Sequence, residues 1–166
     1  MATNGRSLYF AYGSNLLARR MTSRVPSAST ICVARVDGFR LCVGKPGRDG
    51  SGKATLVASA GSRAWGVVYA IDPAHWAMLD ACEQGYRRVQ LLVTHAQDEE
   101  LLAETYLARD TARDPVAFSW YKRCLVDGAR EHGLPPTYVA ELERLPERPD
   151  PRGINPGTSR DSAPRP

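Results

Sequence analysis

Apolar residues along this chain fall in short runs punctuated by glycine, asparagine, aspartate and proline, a pattern that predicts a domain rich in strands with few helices. The first run, Leu8-Tyr9-Phe10-Ala11-Tyr12, is unbroken and aromatic, with strand propensity; Gly13-Ser14-Asn15 is a turn and helix-capping sequence, and Leu16 to Met21 resumes with helix formers. The reading is strand, tight turn, helix start. Such a junction leaves backbone N–H groups unpaired and aimed at whatever negative charge lies above them. Thr30 to Val36 and Phe39 to Val43 read as two strands joined by Asp37-Gly38, a hairpin signal. Gly44 to Lys53 reads as a loop, Ala54 to Ala58 as a strand, and Trp65 to Ile71 as a buried strand.

Asp72-Pro73 then supplies an N-cap and an N1 proline for a helix running to about Glu83, which Gly85 ends. Arg87 to Thr94 and Leu101 to Arg109 are two further strands joined through Asp98 and Glu99. Asp114-Pro115 opens the longest predicted helix, carrying Val116, Trp120, Tyr121, Cys124, Leu125 and Gly128 before Gly133, and a short helix follows from Pro136 to about Leu145. Gly128 in mid-helix predicts close packing. From Pro146 to Pro166 the pattern fades: six of the chain's 12 prolines fall there among charged and small residues, predicting a disordered tail. The expected organisation is a polar extension at 1–7, one domain at 8–145 and the tail at 146–166.

Composition narrows the function. At 166 residues the chain buries about two thirds of its unfolded surface without staples. Lys plus Arg exceed Asp plus Glu by 22 to 18, but the charges are interspersed, so no basic stripe tracks a phosphate backbone and nucleic acid is not expected as a partner. Cys32, Cys42, Cys82 and Cys124 are widely spaced, with no C-x-x-C pair, and read as reduced structural thiols. No run approaches the length of a membrane span and the first seven residues are polar, so a cytoplasmic protein with no membrane partner is expected.

Candidate chemistry is sparse. There is no H-E-x-x-H, no G-x-S-x-G elbow and no G-x-G-x-x-G fingerprint, so neither a metal nor a nucleotide cofactor is indicated. Gly47 to Lys53 matches the start of a phosphate loop, but Ala54 stands where the magnesium-binding hydroxyl belongs and a strand follows where a helix is required. His75, His95 and His132 carry no signature of a base or ligand. Glu83 is the remaining candidate. It lies four residues after Leu79 on the predicted helix, beside Trp76 and Cys82, along the edge of the inward face. Partial desolvation there disfavours the charged form and suits a carboxyl to giving and taking a proton near neutrality. The competing reading is a structural carboxylate paired with Arg87 or Arg88, or a solvated residue at a frayed helix end.

Four elements together, Leu8 to Leu17, Trp65-Gly66-Val67-Val68-Tyr69, Leu79-Asp80 with Glu83, and Gly128-Ala129-Arg130-Glu131-His132-Gly133-Leu134-Pro135, resemble the gamma-glutamylcyclotransferase family in order and near spacing, over Leu8 to about Leu145. The last element points to the branch that resembles the animal enzyme. The resemblance implies an α+β fold, a mixed sheet curled into a small barrel with flanking helices, and a homodimer. It implies Glu83 as catalytic residue, and Tyr9, Phe10, Ala11, Tyr12, Gly13, Ser14 and Asn15 as the substrate-binding run. Tyr121 closes the pocket, and Tyr106 and Tyr86 match further pocket tyrosines. This chain departs from the family at Glu83-Gln84-Gly85-Tyr86, a shortened loop that borders the leaving-group end.

The implied reaction is cofactor-independent: the α-amine of a small-molecule γ-glutamyl compound attacks its own γ-carbonyl, giving 5-oxoproline and a free amino acid or amine, as in glutathione-related metabolism. Two alternatives stand beside it. One is an enzyme of the same chemistry that removes a γ-glutamyl protecting group from an aminoglycoside-type natural product. The other is a non-catalytic module that binds a small ligand on the same scaffold.

Overall fold

A computed structural model describes residues 5–113 and 115–153. Strands β1 (Ser7–Ala11), β2 (Ser29–Pro46), β3 (Gly52–Ile71), β4 (Tyr86–Thr94) and β5 (Glu100–Ala108) close into a barrel with neighbours in the order β1-β3-β2-β4-β5. Pairing is antiparallel except where β1 meets β5 at Tyr9 and Glu104, and that parallel contact closes the barrel. Four helices flank it: α1 (Ala18–Arg24), α2 (Trp76–Cys82), α3 (Ser119–Glu131) and α4 (Pro136–Glu143). This is the α+β barrel with flanking helices that the sequence led us to expect.

The apolar runs become the core. Phe10, Leu16, Met21, Val67, Leu79 and Leu125 are wholly buried, and each side chain of this size contributes about 1.5–3 kcal/mol on leaving water. Asp72 caps the turn into α2 by accepting the Ala74 N–H at 2.9 Å, with Pro73 at the first helical position. Gly128 lies where α3 crosses the chain just after β1: a Cβ there would stand 2.5 Å from the Leu16 carbonyl carbon, so only glycine lets the two backbones meet.

Three expectations need correction. Asp37-Gly38 is not a hairpin turn. β2 runs straight through it and pairs with β3 along its length, with a register shift between Asp37↔Arg63 and Phe39↔Ala58. Gly38, at φ 78°, supplies the positive dihedral that a bulge demands just as a tight turn does. The chain reverses instead inside the predicted loop, where Gly47 N–H donates to Ser51 O at 2.7 Å and Gly50 N–H to Gly47 O at 3.0 Å.

The longest helix begins at Ser119, beyond the expected Asp114-Pro115, of which Asp114 lies outside the described residues. The intervening Ala117–Phe118 forms β6, parallel to β7 (Glu147–Arg148).

The third correction concerns the start of the tail. Besides β7, the Asp150 carboxylate accepts the Trp120 indole N–H at 3.0 Å and the Arg148 guanidinium donates to Gly50 O at 2.7 Å, which tie 147–153 to α3 and to the turn between β2 and β3. Proline-rich composition predicted too little apolar surface to hold this segment, and charge-assisted hydrogen bonds hold it instead. The rest of the predicted tail, 154–166, lies outside the described residues. No disulfide joins Cys32, Cys42, Cys82 and Cys124.

Candidate active site

β1 ends at Ala11, and the chain turns through Tyr12 and Gly13 into a single 3-10 turn, Ser14–Leu16, before α1. Leu16 N–H closes that turn on Gly13 O at 2.9 Å. Ser14 and Asn15 precede the first internal bond, and among the described residues their N–H groups meet no protein acceptor. The Ser14 hydroxyl is occupied, receiving the Arg20 Nε–H at 3.1 Å.

Above the turn is a small pocket, partly open to solvent. Tyr9, Tyr12, Gly13, Ser14 and Asn15 form its floor; Glu83, Tyr86, Tyr106, Tyr121 and Ala54 form its walls. Residues distant in sequence are thus gathered as expected, with two exceptions. Phe10 and Ala11 do not line the pocket. Both are wholly buried in the core, where Phe10 packs on Tyr12 and Ala11 pairs with Val67, so this part of the apolar run serves the barrel.

Glu83 terminates α2, its N–H bonded to Leu79 O at 3.1 Å and Asp80 O at 3.2 Å. Buried Trp76 and Leu79 turn the inward face of that helix to the core and carry the carboxylate into the pocket wall. There its Oε1 accepts Asn15 Nδ2–H at 3.0 Å and Arg24 Nη1–H at 3.0 Å. Arg24 also donates to Asn15 Oδ1 at 3.0 Å, closing a three-membered network. Side-chain exposures of 20% for Arg24 and 14% for Glu83 make this a partly buried pair. Both donors fix the carboxylate's position in the wall. The partner is neither Arg87 nor Arg88; Arg88 pairs with Glu104 at 3.0 Å.

Five phenols surround this charge. Burial pushes Tyr9, Tyr12, Tyr86 and Tyr106 well above the ordinary tyrosine value, with Glu83 adding to the rise at each. Burial likewise pushes Tyr121 up to about 12. All five are neutral near pH 7 and act as hydrogen-bonding groups, not bases. Their protons are not equally available. Tyr12 donates to Tyr106 O, Tyr86 to Ala54 O at 2.8 Å, and Tyr106 to Asp80 Oδ1 at 2.6 Å. Among the described residues Tyr9 only accepts, from Asn15 at 2.9 Å, and Tyr121 only accepts, from Ala54 N–H at 2.9 Å. Their O–H groups remain to donate to a bound molecule.

The chemistry on offer is one carboxylate, two available phenolic donors and a pair of backbone N–H groups around one small space. Sequence reading missed Arg24, Ala54 and Asp80. Arg24 was discoverable only as a basic residue ending a helix, because its 59-residue separation from Glu83 leaves no local pattern. Among the described residues, no three His, Cys, Asp or Glu side chains are placed to hold a metal ion, and no helix is long and apolar enough to cross a membrane.

Comparison with known proteins adds relatives to this geometry. The AIG2-like family matches residues 63–142. The gamma-glutamylcyclotransferases of mouse (Mus musculus) and human (Homo sapiens) are each 35% identical to the chain over 147 residues, covering 83% of it and 78% of the relative. A solved gamma-glutamyl cyclotransferase structure superposes with a TM-score of 0.81 at 32% identity, covering 86% of this chain and 89% of that one.

Proposed function

We propose a mechanism for this chain from the premise that it belongs to the gamma-glutamylcyclotransferase family of enzymes. Its substrate is a γ-glutamyl amino acid or amine, folded so that its α-amine attacks its own γ-carbonyl. The C–N bond that forms closes 5-oxoproline, and the C–N bond that breaks releases the amino acid or amine. No water or cofactor is consumed. Attacker and carbonyl share one molecule, so holding them in contact contributes an effective molarity of about 10⁵ M or more. The enzyme supplies orientation and proton transfer.

Glu83 is the proton shuttle. The α-amine, with an ordinary pKa of about 8, arrives mostly as ammonium, and the Glu83 carboxylate removes a proton to free the lone pair. That proton is delivered to the departing nitrogen; the ring nitrogen, made cationic by the attack, gives a second proton to the carboxylate as the old C–N bond breaks, and this one passes to the freed amine, which leaves as ammonium and restores the carboxylate. Arg24 and Asn15 hold the carboxylate oriented before each turnover. Tyr9 and Tyr121 O–H, with the N–H groups of Ser14 and Asn15, stabilise the substrate carboxylate and the oxyanion of the tetrahedral intermediate.

The observation that supports this reading best is that, among the described residues, Glu83 is the one carboxylate lining the pocket, and every other titratable lining residue is a phenol raised by burial. The family premise also makes residues 8–145 the catalytic domain, and a cytoplasmic homodimer the working form. Turnover of γ-glutamyl-alanine in ¹⁸O-water tests the chemistry. Equal yields of 5-oxoproline and alanine, with no label incorporated, are expected. Labelled glutamate as the product would make the protein a hydrolase and overturn the reading.

A further inference from the structure

The side of the pocket that faces solvent is the turn Glu83-Gln84-Gly85-Tyr86, whose middle residues Gln84 and Gly85 are exposed. Lys45, from the end of β2, lies directly on this turn. A Cβ on Gly85 would meet Lys45 Nζ at 3.1 Å, and the ammonium stands 5.0 Å from the centre of the Tyr86 ring. Among the described residues no carboxylate comes within ion-pair distance of it. The two acids nearest in effect, Glu83 and Asp49, are engaged elsewhere: Glu83 by Arg24 at 3.0 Å and Asp49 by Lys53 at 2.8 Å.

The position is costly for a structural lysine. Lys45 stands opposite Lys53 in the β2–β3 register, and like charges directly opposite on a sheet repel. Partial burial also lowers the pKa of its ammonium, which marks a cation not fully hydrated. Gly85 takes φ 84° and leaves the space that the lysine tip occupies, so the shortened turn and the lysine fit one another. Tyr86 holds the arrangement to the pocket through its hydroxyl bond to Ala54 O at 2.8 Å.

We propose that Lys45 is a specificity-determining residue: its ammonium pairs with a negatively charged group carried by the departing half of the substrate. This rests on the cyclotransferase reading, in which Glu83 protonates the leaving nitrogen. That nitrogen must lie against Glu83, so the group attached beyond it extends along the Glu83–Tyr86 rim toward the Lys45 ammonium. A carboxylate on the carbon next to the leaving nitrogen suits that position. An uncharged alkylamine offers it nothing.

The matched pair γ-glutamyl-alanine and γ-glutamyl-ethylamide differs by that carboxylate alone. The wild type should prefer the alanine compound in kcat/KM. Lys45→Met should lower kcat/KM for γ-glutamyl-alanine by about 10- to 100-fold, the loss lying in KM, because a charge-assisted hydrogen bond is removed. The ethylamide should change less than twofold, which also reports that the variant is folded, and Lys45→Arg should keep most of the preference. Equal losses on both substrates, or none on the alanine compound, would overturn the assignment of Lys45. Equal turnover of both substrates by the wild type would overturn it too while leaving the cyclotransferase reading intact. Failure of the wild type to form 5-oxoproline from either substrate would remove that reading and this inference together.

Discussion

The floor and the rim of the pocket are built differently. The floor is contiguous in sequence, Tyr9 and Tyr12 to Asn15, and it is clamped from both sides: β3 and β5 hold β1, and α3 lies against the Ser14–Leu16 turn through Gly128. Tyr9, Tyr12, Ser14 and Asn15 are buried and the geometry of the floor follows from the core. The rim is four residues of turn, two of them exposed, oriented by side chains that arrive from elsewhere: Arg24 on Glu83, the Tyr86 hydroxyl on Ala54, and Lys45 over the Tyr86 ring. A site of this kind separates holding from selecting. The group common to all substrates binds where the fold is rigid, and the variable group meets the part most easily altered without disturbing the barrel.

The comparison breaks if changes in the floor and rim have the same effect. The largest loss of stability should come from Gly128→Ala, which drives a methyl to within 2.6 Å of three atoms of Leu16 and Leu17. Overpacking of this kind costs about 1–3 kcal/mol, more than alanine returns in helix propensity. The melting temperature should fall, and KM should rise for every substrate alike, because the whole floor moves. A shift confined to one leaving group would contradict a common floor.

Next in size is Arg24→Met, which removes the cation from Glu83 without touching the barrel. Steady-state assays should show kcat lower by about 10-fold or more with little change in melting temperature, since the loss of a charged hydrogen bond is worth about 1.5–3 kcal/mol at the carboxylate. A variant with unchanged kcat would show that the pair is structural.

Tyr121→Phe is smaller and lies mainly in binding. It removes an O–H donor and leaves the Ala54 N–H without its acceptor, for about 1–3 kcal/mol. KM should rise several-fold while kcat changes less, measured on the same γ-glutamyl-alanine assay. Smallest of all should be removal of 154–166, with activity and melting temperature unchanged. Removal from 146 onward also takes Asp150 from Trp120, the neighbour of Tyr121, and should destabilise measurably in a thermal melt.

The same division explains what could be read from the sequence. The floor was legible, because a buried strand, a Gly-Ser-Asn turn and a helix start are local patterns, and so were β4, β5, α2 and the placing of Glu83 on an inward helical edge. Within the floor the error was one of fine position: an unbroken apolar run does not say which residues face a pocket and which face the core, so Phe10 and Ala11 were grouped with Tyr9. Asp37-Gly38 misled because a tight turn and a bulge ask the same dihedral of glycine, and only the distant partner strand decides between them. The rim was least legible. Arg24 with Glu83 and Tyr86 with Ala54 are pairs separated by 59 and 32 positions, and nothing local in the chain announces them.

The central claim is that Glu83 moves the proton while the floor holds the glutamyl group. Glu83→Gln keeps the size of the side chain, can still contact Asn15, and removes the charge. Comparing the variant with the wild type on γ-glutamyl-alanine, by substrate affinity in a binding titration and by 5-oxoproline formed in a single turnover, separates the two roles. The account predicts an affinity within a few-fold of wild type and a rate lower by about 10²–10⁴. A variant that binds normally and retains most of its turnover would contradict it.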